Sequence, residues 1–352
     1  MKGRKRWPGL ISLGSAVRIR PSLPKNIMII TKTPYRISFF GGGSDYPSWY
    51  KKFGGKVLSA TIDKNLYISC RHLPEFFKHK YRIVWSKVEE TKNINQIKHN
   101  AVRKILQYYK NNTGLEIHYD GDLPARSGMG SSSSFVVGLV KALNDLKNIK
   151  ITKRELATKS IFLEQKILKE AVGSQDQIAA SYGGLNKIIF NKNNTFNVKK
   201  INTKNTQKLS DNLVLIYTGI KRTAHFIAKT FINKLENEKY QEINKIVSFV
   251  GEAEKILNSN NLDDFGLLLN ESWKYKKMLS NKITNHKIDD LYKTCLDKGA
   301  LGGKLLGAGG GGFLLLYVRK NEKRKFIKGI KNVIEIPFEF SNNGCQTIFR
   351  RD

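Results

Sequence analysis

Two carboxylates and three glycine-rich stretches hold most of the chemistry this sequence can offer. Glu164 has Ser160 and Ile161 before it and Ile167 and Leu168 after it, a helical spacing that sets an acid on an apolar stripe. Such a residue is either a surface glutamate that snorkels or a buried functional group. In "VGSQDQIAASYGG", Asp176 lies among small residues just past Gly173. A lone aspartate there reads either as a helix N-cap or as a working acid.

The stretch "PARSGMGSSSS" lies between a strand pattern and a helix pattern. Gly128 and Gly130 permit a tight turn, and the serines stand where unpaired N–H groups and the helix dipole favour a phosphate. A serine cap on an ordinary helix fits the same residues. No Gly-Lys-Ser/Thr follows, so this is not a Walker A loop. "GAGGGG" (residues 307–312) and "FFGGGSD" (39–45) are further loops of this kind. Ordering chain with so few side chains costs entropy, which close approach to a ligand or to another loop would explain; a flexible turn is the alternative.

The elements that must position these residues are mixed. "MIITKTPYRISFF", "KVLSATIDKNLYISCRHL", "YRIVWSKVEE" and "LEIHYDGDLP" read as strands, the last ending at Pro124. Ile94, Ile97, Ala101, Ile105 and Tyr108 are spaced for a helix over 94–112, and Phe135, Leu139, Ala142, Leu143 and Leu146 for another. Thr152 and Glu155 form a capping-box pattern for a helix expected to end near Gly173. An Asn/Lys-rich stretch at 191–210 reads as a linker or hairpin. "NLVLIYTG" opens the second half, two or three helices reach about Lys298, and "KLLGAGGGGFLLLYV" is a glycine turn feeding a buried strand. Strands and helices mix without regular alternation, which points to an α+β fold.

The 352 residues are 40% hydrophobic, enough for two domains with real cores. No apolar run is long enough to span a membrane. Three scattered cysteines and six histidines give no metal or disulfide framework and suit a cytoplasmic protein. The net charge of +33 is spread thinly and no nucleic-acid-binding motif accompanies it, so it reads as a solvated basic surface that could gather anionic substrates. Residues 1–27 are basic, lack acids and periodicity, and read as a disordered arm or an artefactual extension ahead of Met28.

Taken together, "PYRISFFGGGSDY", "PARSGMGSSSS" and "KLLGAGGGGFLLLY" resemble the three motifs of the GHMP kinases (galactokinase, homoserine kinase, mevalonate kinase and phosphomevalonate kinase), with Met129 in place of the usual leucine. The resemblance runs from about Met28 to the end. It is closer still to the branch of bacterial D-glycero-D-manno-heptose 7-phosphate kinases, through "RISFFGGGSDYP", "VGSQDQIA" and "GALGGKLLGAGGGGFLL". Galactokinases carry Glu-His before the Thr-Asp of the first motif, whereas Gly42 and Gly43 precede Ser44 and Asp45 here, which argues against galactose.

The resemblance implies a two-domain GHMP kinase fold: an ATP-binding N-terminal domain over 28–205, ribosomal protein S5 domain 2-like, and a ferredoxin-like C-terminal domain over 206–352. It implies transfer from ATP to the anomeric C1 hydroxyl of the heptose 7-phosphate, on the way to GDP-heptose for surface polysaccharides. Gly128, Met129, Gly130, Ser131, Ser132 and Ser133 would wrap the ATP phosphates, and Ser132 and Glu164 would hold Mg²⁺. Asp176 would take or orient the proton of the attacking hydroxyl, and Arg36 would stabilise charge on it and on the transferring group. Gly42, Gly43, Ser44, Asp45, Gly183, Gly309 and Gly310 would border the sugar, with Arg222 the weaker candidate for its phosphate. No nucleic-acid or membrane partner is expected, and the protein would be a monomer or homodimer. The competing readings are another sugar-1-kinase of the superfamily, acting on fucose for example, a non-catalytic sugar and ATP sensor, and a basic nucleic-acid-binding protein.

Overall fold

The computed structural model describes residues 27–125, 127–220 and 224–351, with the backbone alone at 224–226. Strand β1 (Met28–Phe40) runs into the first glycine loop and helix α1 (Pro47–Phe53), and β2 (Gly55–His72) returns beside it. The hairpin β3 (Tyr81–Val84) and β4 (Val88–Thr91), helix α2 (Asn100–Tyr108) and strand β5 (Leu115–Gly121) follow. The second glycine loop leads into α3 (Ser131–Leu146), then α4 (Lys153–Phe162), α5 (Gln175–Tyr182) and the hairpin β6 (Leu185–Phe190) and β7 (Phe196–Lys200). The second half comprises α6 (Thr206–Asn212), β8 (Leu213–Tyr217), α7 (Ala224–Ile232), α8 (Tyr240–Leu257), α9 (Asp263–Lys277) and α10 (His286–Asp297). It ends with β9 (Gly302–Leu305), β10 (Phe313–Tyr317), α11 (Lys323–Gly329), β11 (Ile334–Glu335) and β12 (Gln346–Arg351).

The first sheet runs β12-β1-β2-β5-β3-β4, with β6 and β7 branching from β2. The branch exists because β2 is long: one edge pairs with β1, while the other pairs with β6 over 55–60 and with β5 over 66–72. Helix α3 lies across β1 and β2, buried on nearly every side, so it reads apolar all round. Gly138 lets its backbone come down on the sheet, where Thr31 Oγ1 donates to the Gly138 carbonyl at 3.2 Å. The second sheet, β11-β8-β10-β9, is antiparallel and packs against α9. The halves meet where Phe39 and Phe40, at the end of β1, stand edge-on to Phe265 of α9, with ring centres 5.4 and 5.1 Å apart.

This is the expected α+β arrangement, with β1 bounded as read from the sequence. Three local expectations are corrected, on the start of α2, the end of β5 and the number of helices in the second half. Helix α2 begins at Asn100, because Asn93 caps a separate 3₁₀ turn at Ile94–Gln96. Strand β5 stops at Gly121, ahead of Pro124. The hairpin reading of 191–210 holds for its first half, where the turn and β7 complete the β6–β7 hairpin before α6 begins. Four helices, not two or three, fill 224–297. The last strand, β12, leaves the second half and joins the edge of the first sheet against β1. No helix among the described residues is long and apolar enough to cross a membrane.

Candidate active site

The capping box predicted for α4 is present: the Thr152 hydroxyl accepts from Glu155 N at 3.2 Å, and the Glu155 carboxylate accepts from Thr152 N at 2.8 Å. The helix does not continue to Gly173. After Phe162 it widens into a π turn over Leu163–Ile167, and Lys169 turns the chain at φ 57°. Turns of this kind recur at functional sites because they re-aim a side chain. Here the π turn holds Glu164, which is fully buried. Its oxygens accept from Ser132 Oγ at 3.0 Å and from Gln177 Nε2. Burial pushes its carboxyl up to about 7, against the hydrogen bonds from Ser133, Gln177 and Ser132 and with the charge of Asp176 adding to the rise. The surface reading of Glu164 is thereby excluded.

Asp176 lies in the first turn of α5, behind the N-cap Ser174, so it is not itself the cap. Arg36 crosses from β1 and grips it with both ends of the guanidinium: Nε donates to Oδ1 and Nη2 to Oδ2, each at 2.7 Å. The remaining Nη1 donates to the Gly128 carbonyl at 2.7 Å, and the Arg36 amide donates to the Met129 carbonyl at 3.1 Å. One residue of β1 thus ties the second glycine loop to α5. Gly130 completes the fit; a side chain there would stand 3.3 Å from Asp176 Oδ2. Gly130 is also the N-cap of α3 in the left-handed region and has no side chain with which to cap the helix. The helix start at Ser131, Ser132 and Ser133 is therefore built for an anion. The Met129 side chain is buried in the core, which explains an apolar residue between two glycines.

The first glycine loop answers to the chain itself. A Cβ on Gly41 would lie 1.9 Å from the Lys56 carbonyl oxygen, and one on Gly43 would lie 2.6 Å from Ile243 Cδ1. Only Gly42 is partly exposed, 3.7 Å from Gln175 Nε2 and Ser38 Oγ by the same measure. Ser44 is fully buried, its hydroxyl shared among Gly41 O, Lys56 O and Lys56 N, so it closes the loop. Asp45 is 2% exposed and turned inward: Oδ1 accepts from Gly43 N at 3.0 Å and Oδ2 from Gln175 N at 3.3 Å. It straps the loop to the helix that carries Asp176. Burial, and then Asp176, push its carboxyl up to about 6 against those bonds.

The third loop docks on the second. Phe313 N donates to the Ser127 carbonyl at 3.2 Å, and a Cβ on Gly312 would lie 2.1 Å from that oxygen. Lys276 of α9 donates to the Leu305 and Gly307 carbonyls at 2.6 Å and fixes the loop's start. Gly309 and Gly310 are kept small by Ile283 and Ile227, and Gly183 by the backbone of Asn343 and Gly344. For these three the atoms that an added Cβ would meet are protein. Arg222 lies outside the described residues. Sequence reading missed Gln177, which braces Glu164, and Lys304, a lone charge in the apolar run "GGKLLG". That isolation was the signal that could have found it.

Chemically, the arrangement offers an anion-binding helix start, an acid and hydroxyl pair for a hard cation, and a carboxylate clamped by an arginine where a hydroxyl could lose a proton. The GHMP kinases N terminal domain matches residues 95–184, and the GHMP kinases C terminal domain matches 253–334. The chain is similar to the D-glycero-alpha-D-manno-heptose 7-phosphate kinase of Campylobacter jejuni, with 31% identity over 86% of this chain and 93% of that one. In structure it resembles a D-glycero-D-manno-heptose 1-phosphate kinase from Bacteroides thetaiotaomicron, with a TM-score of 0.73 and 23% identity over 91% and 98% of the two chains. It also resembles a galactokinase from Lactococcus lactis complexed with galactose, with a TM-score of 0.71 and 18% identity over 91% and 95%. Three glycine loops converging on a clamped aspartate, and a relative matched along nearly its whole length, lead to one conclusion: the chain belongs to the GHMP kinases, as an ATP-dependent sugar kinase.

Proposed function

We propose that the protein transfers the γ-phosphoryl group of ATP to the C1 hydroxyl of D-glycero-D-manno-heptose 7-phosphate, giving the 1,7-bisphosphate. The observation that carries the reaction type is the Arg36–Asp176 clamp beside the uncapped start of α3. The C1 oxygen attacks the γ-phosphorus, a new O–P bond forms, and the bond to the ADP oxygen breaks. The hydroxyl proton passes to the Asp176 carboxylate, which Arg36 holds in place. The Gly128–Ser133 loop, with the amides and dipole of α3, receives the ATP phosphates, and Arg36 answers the charge that develops on the transferring group.

Ser132 and Glu164 fit Mg²⁺: both offer oxygen, they are already 3.0 Å apart, and a buried carboxylate raised by desolvation lacks a cation. When bound, the ion would neutralise phosphate charge. Among the described residues no group of three His, Cys, Asp or Glu could hold a metal by itself, which agrees with an ion that keeps waters and phosphate oxygens as its other ligands.

The heptose acceptor is supported by the 31% relative and by the first loop, in which Gly42 leaves space where a larger residue would narrow the site. The test is an acceptor screen for ADP release with ATP and Mg²⁺, over the 7-phosphate and 1-phosphate of the heptose, free heptose, fucose, galactose and mevalonate. Phosphorus NMR then locates the new phosphate. The 7-phosphate should give the highest kcat/KM, with a new phosphate coupled to the anomeric proton. Higher efficiency on any other acceptor, or phosphate at another carbon, would overturn the assignment.

A further inference from the structure

Lys304 of β9 is 5% exposed, although it carries a charge. Its Nζ donates to the Phe39 carbonyl at 2.6 Å. Among the described residues it has no carboxylate partner and no second acceptor, so two ammonium hydrogens are unspent. This is unusual, because a buried ammonium ordinarily satisfies its donors or finds a counter-charge. The nearby guanidinium of Arg36 makes matters worse: burial, and then Arg36, push the Lys304 ammonium down to about 7. Arg36 is matched by Asp176, so the cluster of Arg36, Asp176 and Lys304 carries one positive charge in excess when the lysine is protonated.

The backbone around Lys304 is held firmly. On one side, β9 pairs with β10, placing Lys304 opposite Leu315. On the other, Lys276 clamps the carbonyl of the next residue, Leu305. Phe39 lies two residues ahead of the first glycine loop and three beyond Arg36. At the second glycine loop, Ser127 Oγ is also buried without a partner.

We infer that Lys304 is a phosphate-binding residue of the reaction centre, supplied by the second half of the chain, whose two free N–H groups receive an anionic phosphoryl oxygen beside Arg36. The inference rests on the kinase reading, and the anion has two possible sources: the transferring phosphoryl group of ATP or a phosphate already on the acceptor.

The experiment compares the parent with Lys304→Met and Lys304→Arg, using ATP and two acceptors, one phosphorylated and one not, chosen from those the parent accepts. Replacing a charged donor to phosphate by methionine should cost about 10- to 100-fold in kcat/KM, with partial recovery in the arginine variant. A fall in kcat on both acceptors, with their KM values unchanged, identifies the transferring group. A rise in KM confined to the phosphorylated acceptor identifies that acceptor's phosphate. In parallel, acetylation of Lys304 in the parent by acetic anhydride is followed by mass spectrometry, with and without ATP, inorganic phosphate and the phosphorylated acceptor. At least one of these should protect it several-fold. Kinetic constants of Lys304→Met within threefold of the parent's would overturn the inference. So would the absence of protection in the parent, whether or not the methionine variant folds or retains activity. If the parent prefers an acceptor other than the heptose phosphate, the substrate assignment fails while the Lys304 comparison still reads out.

Discussion

Asp176→Asn tests the centre of the mechanism, and the structure sets the size of its effects. The side chain keeps its volume but loses its charge and one of its two acceptor atoms. In the parent, Asp176 accepts two charge-assisted bonds of 2.7 Å from Arg36, a residue only 4% exposed. Such bonds contribute roughly 1.5–3 kcal/mol each, and a buried cation stripped of its partner adds a desolvation cost. Asparagine keeps one acceptor, the Gly128 carbonyl keeps its bond to Nη1, and the Asp176 side chain is 23% exposed, so screening reduces the loss. A net destabilisation of about 1–3 kcal/mol follows, read as a lower Tm. Turnover should fall by ~10²–10⁴, the scale for losing a positioned proton acceptor, while ATP affinity changes little because the nucleotide phosphates meet the Gly128–Ser133 loop. Arg36→Met should also reduce kcat. The double variant should lose less than the product of the single losses and be more stable than additivity requires, since neither charge is stranded. Steady-state kinetics, nucleotide titration and thermal melts on the four proteins measure each point. Turnover in Asp176→Asn within threefold of the parent, or strictly multiplicative losses in the double variant, would refute the reasoning.

Glu164→Gln should weaken the dependence of activity on Mg²⁺, raising the half-saturating concentration by about tenfold or more, because one of few anionic ligands disappears; a Mg²⁺ titration of kcat that overlays the parent's removes Glu164 as a ligand. Asp45 gives a pH signature. Its folded-state carboxyl is raised from 3.8 to about 6, so the folded protein binds this proton more tightly than the unfolded chain does. The corresponding stability is fully present below about 4 and is lost as pH rises through about 6. The difference in unfolding free energy between the parent and Asp45→Asn should therefore slope across pH 4–6 and flatten above it, by about 3 kcal/mol at most from a shift of some two units. The slope is the measure, since asparagine cannot accept from both Gly43 and Gln175. Denaturant melts that give a flat difference would show that Asp45 is not raised in the folded state.

Local pattern carried a good deal of this molecule. The strand bounds of β1 and the capping box at Thr152 were legible because each is set by neighbours in sequence: a stretch rich in β-branched and aromatic residues that stops at three glycines in the first case, a hydroxyl and a glutamate three residues apart in the second. The Arg36–Asp176 clamp was legible only as two separate residues, joined by a family resemblance; the sequence separation of 140 between them is closed by the sheet and α5. The π turn at Leu163–Ile167 was not legible. Ile161, Glu164, Ile167 and Leu168 satisfy an ordinary helical stripe, and it is the tertiary demand to bury Glu164 against Ser132 and Gln177 that the wider turn meets. Strand β12 was missed for a similar reason. Its outward residues Ile348 and Phe349 are exposed, so it shows no clean alternation, and its partner β1 lies more than 300 residues earlier.

The glycines show where composition misleads. A run that admits no side chain announces a close approach but not what approaches. In the first loop, the Lys56 carbonyl and Ile243 press on Gly41 and Gly43, and in the third, Ser127 presses on Gly312. These contacts seat the two loops against the rest of the fold, and they are what a kinase centre needs if positioning supplies most of its rate. Gln175 Oε1 and Ser127 Oγ stay buried without partners, and the Lys304 ammonium is bonded only to the Phe39 carbonyl among the described residues. Glycine content thus locates the rigid frame and not the ligand. Ser44 and Asp45, polar residues inside a glycine motif, belong to that frame: their oxygens bond Gly41, Gly43 and Gln175 and hold the loop closed.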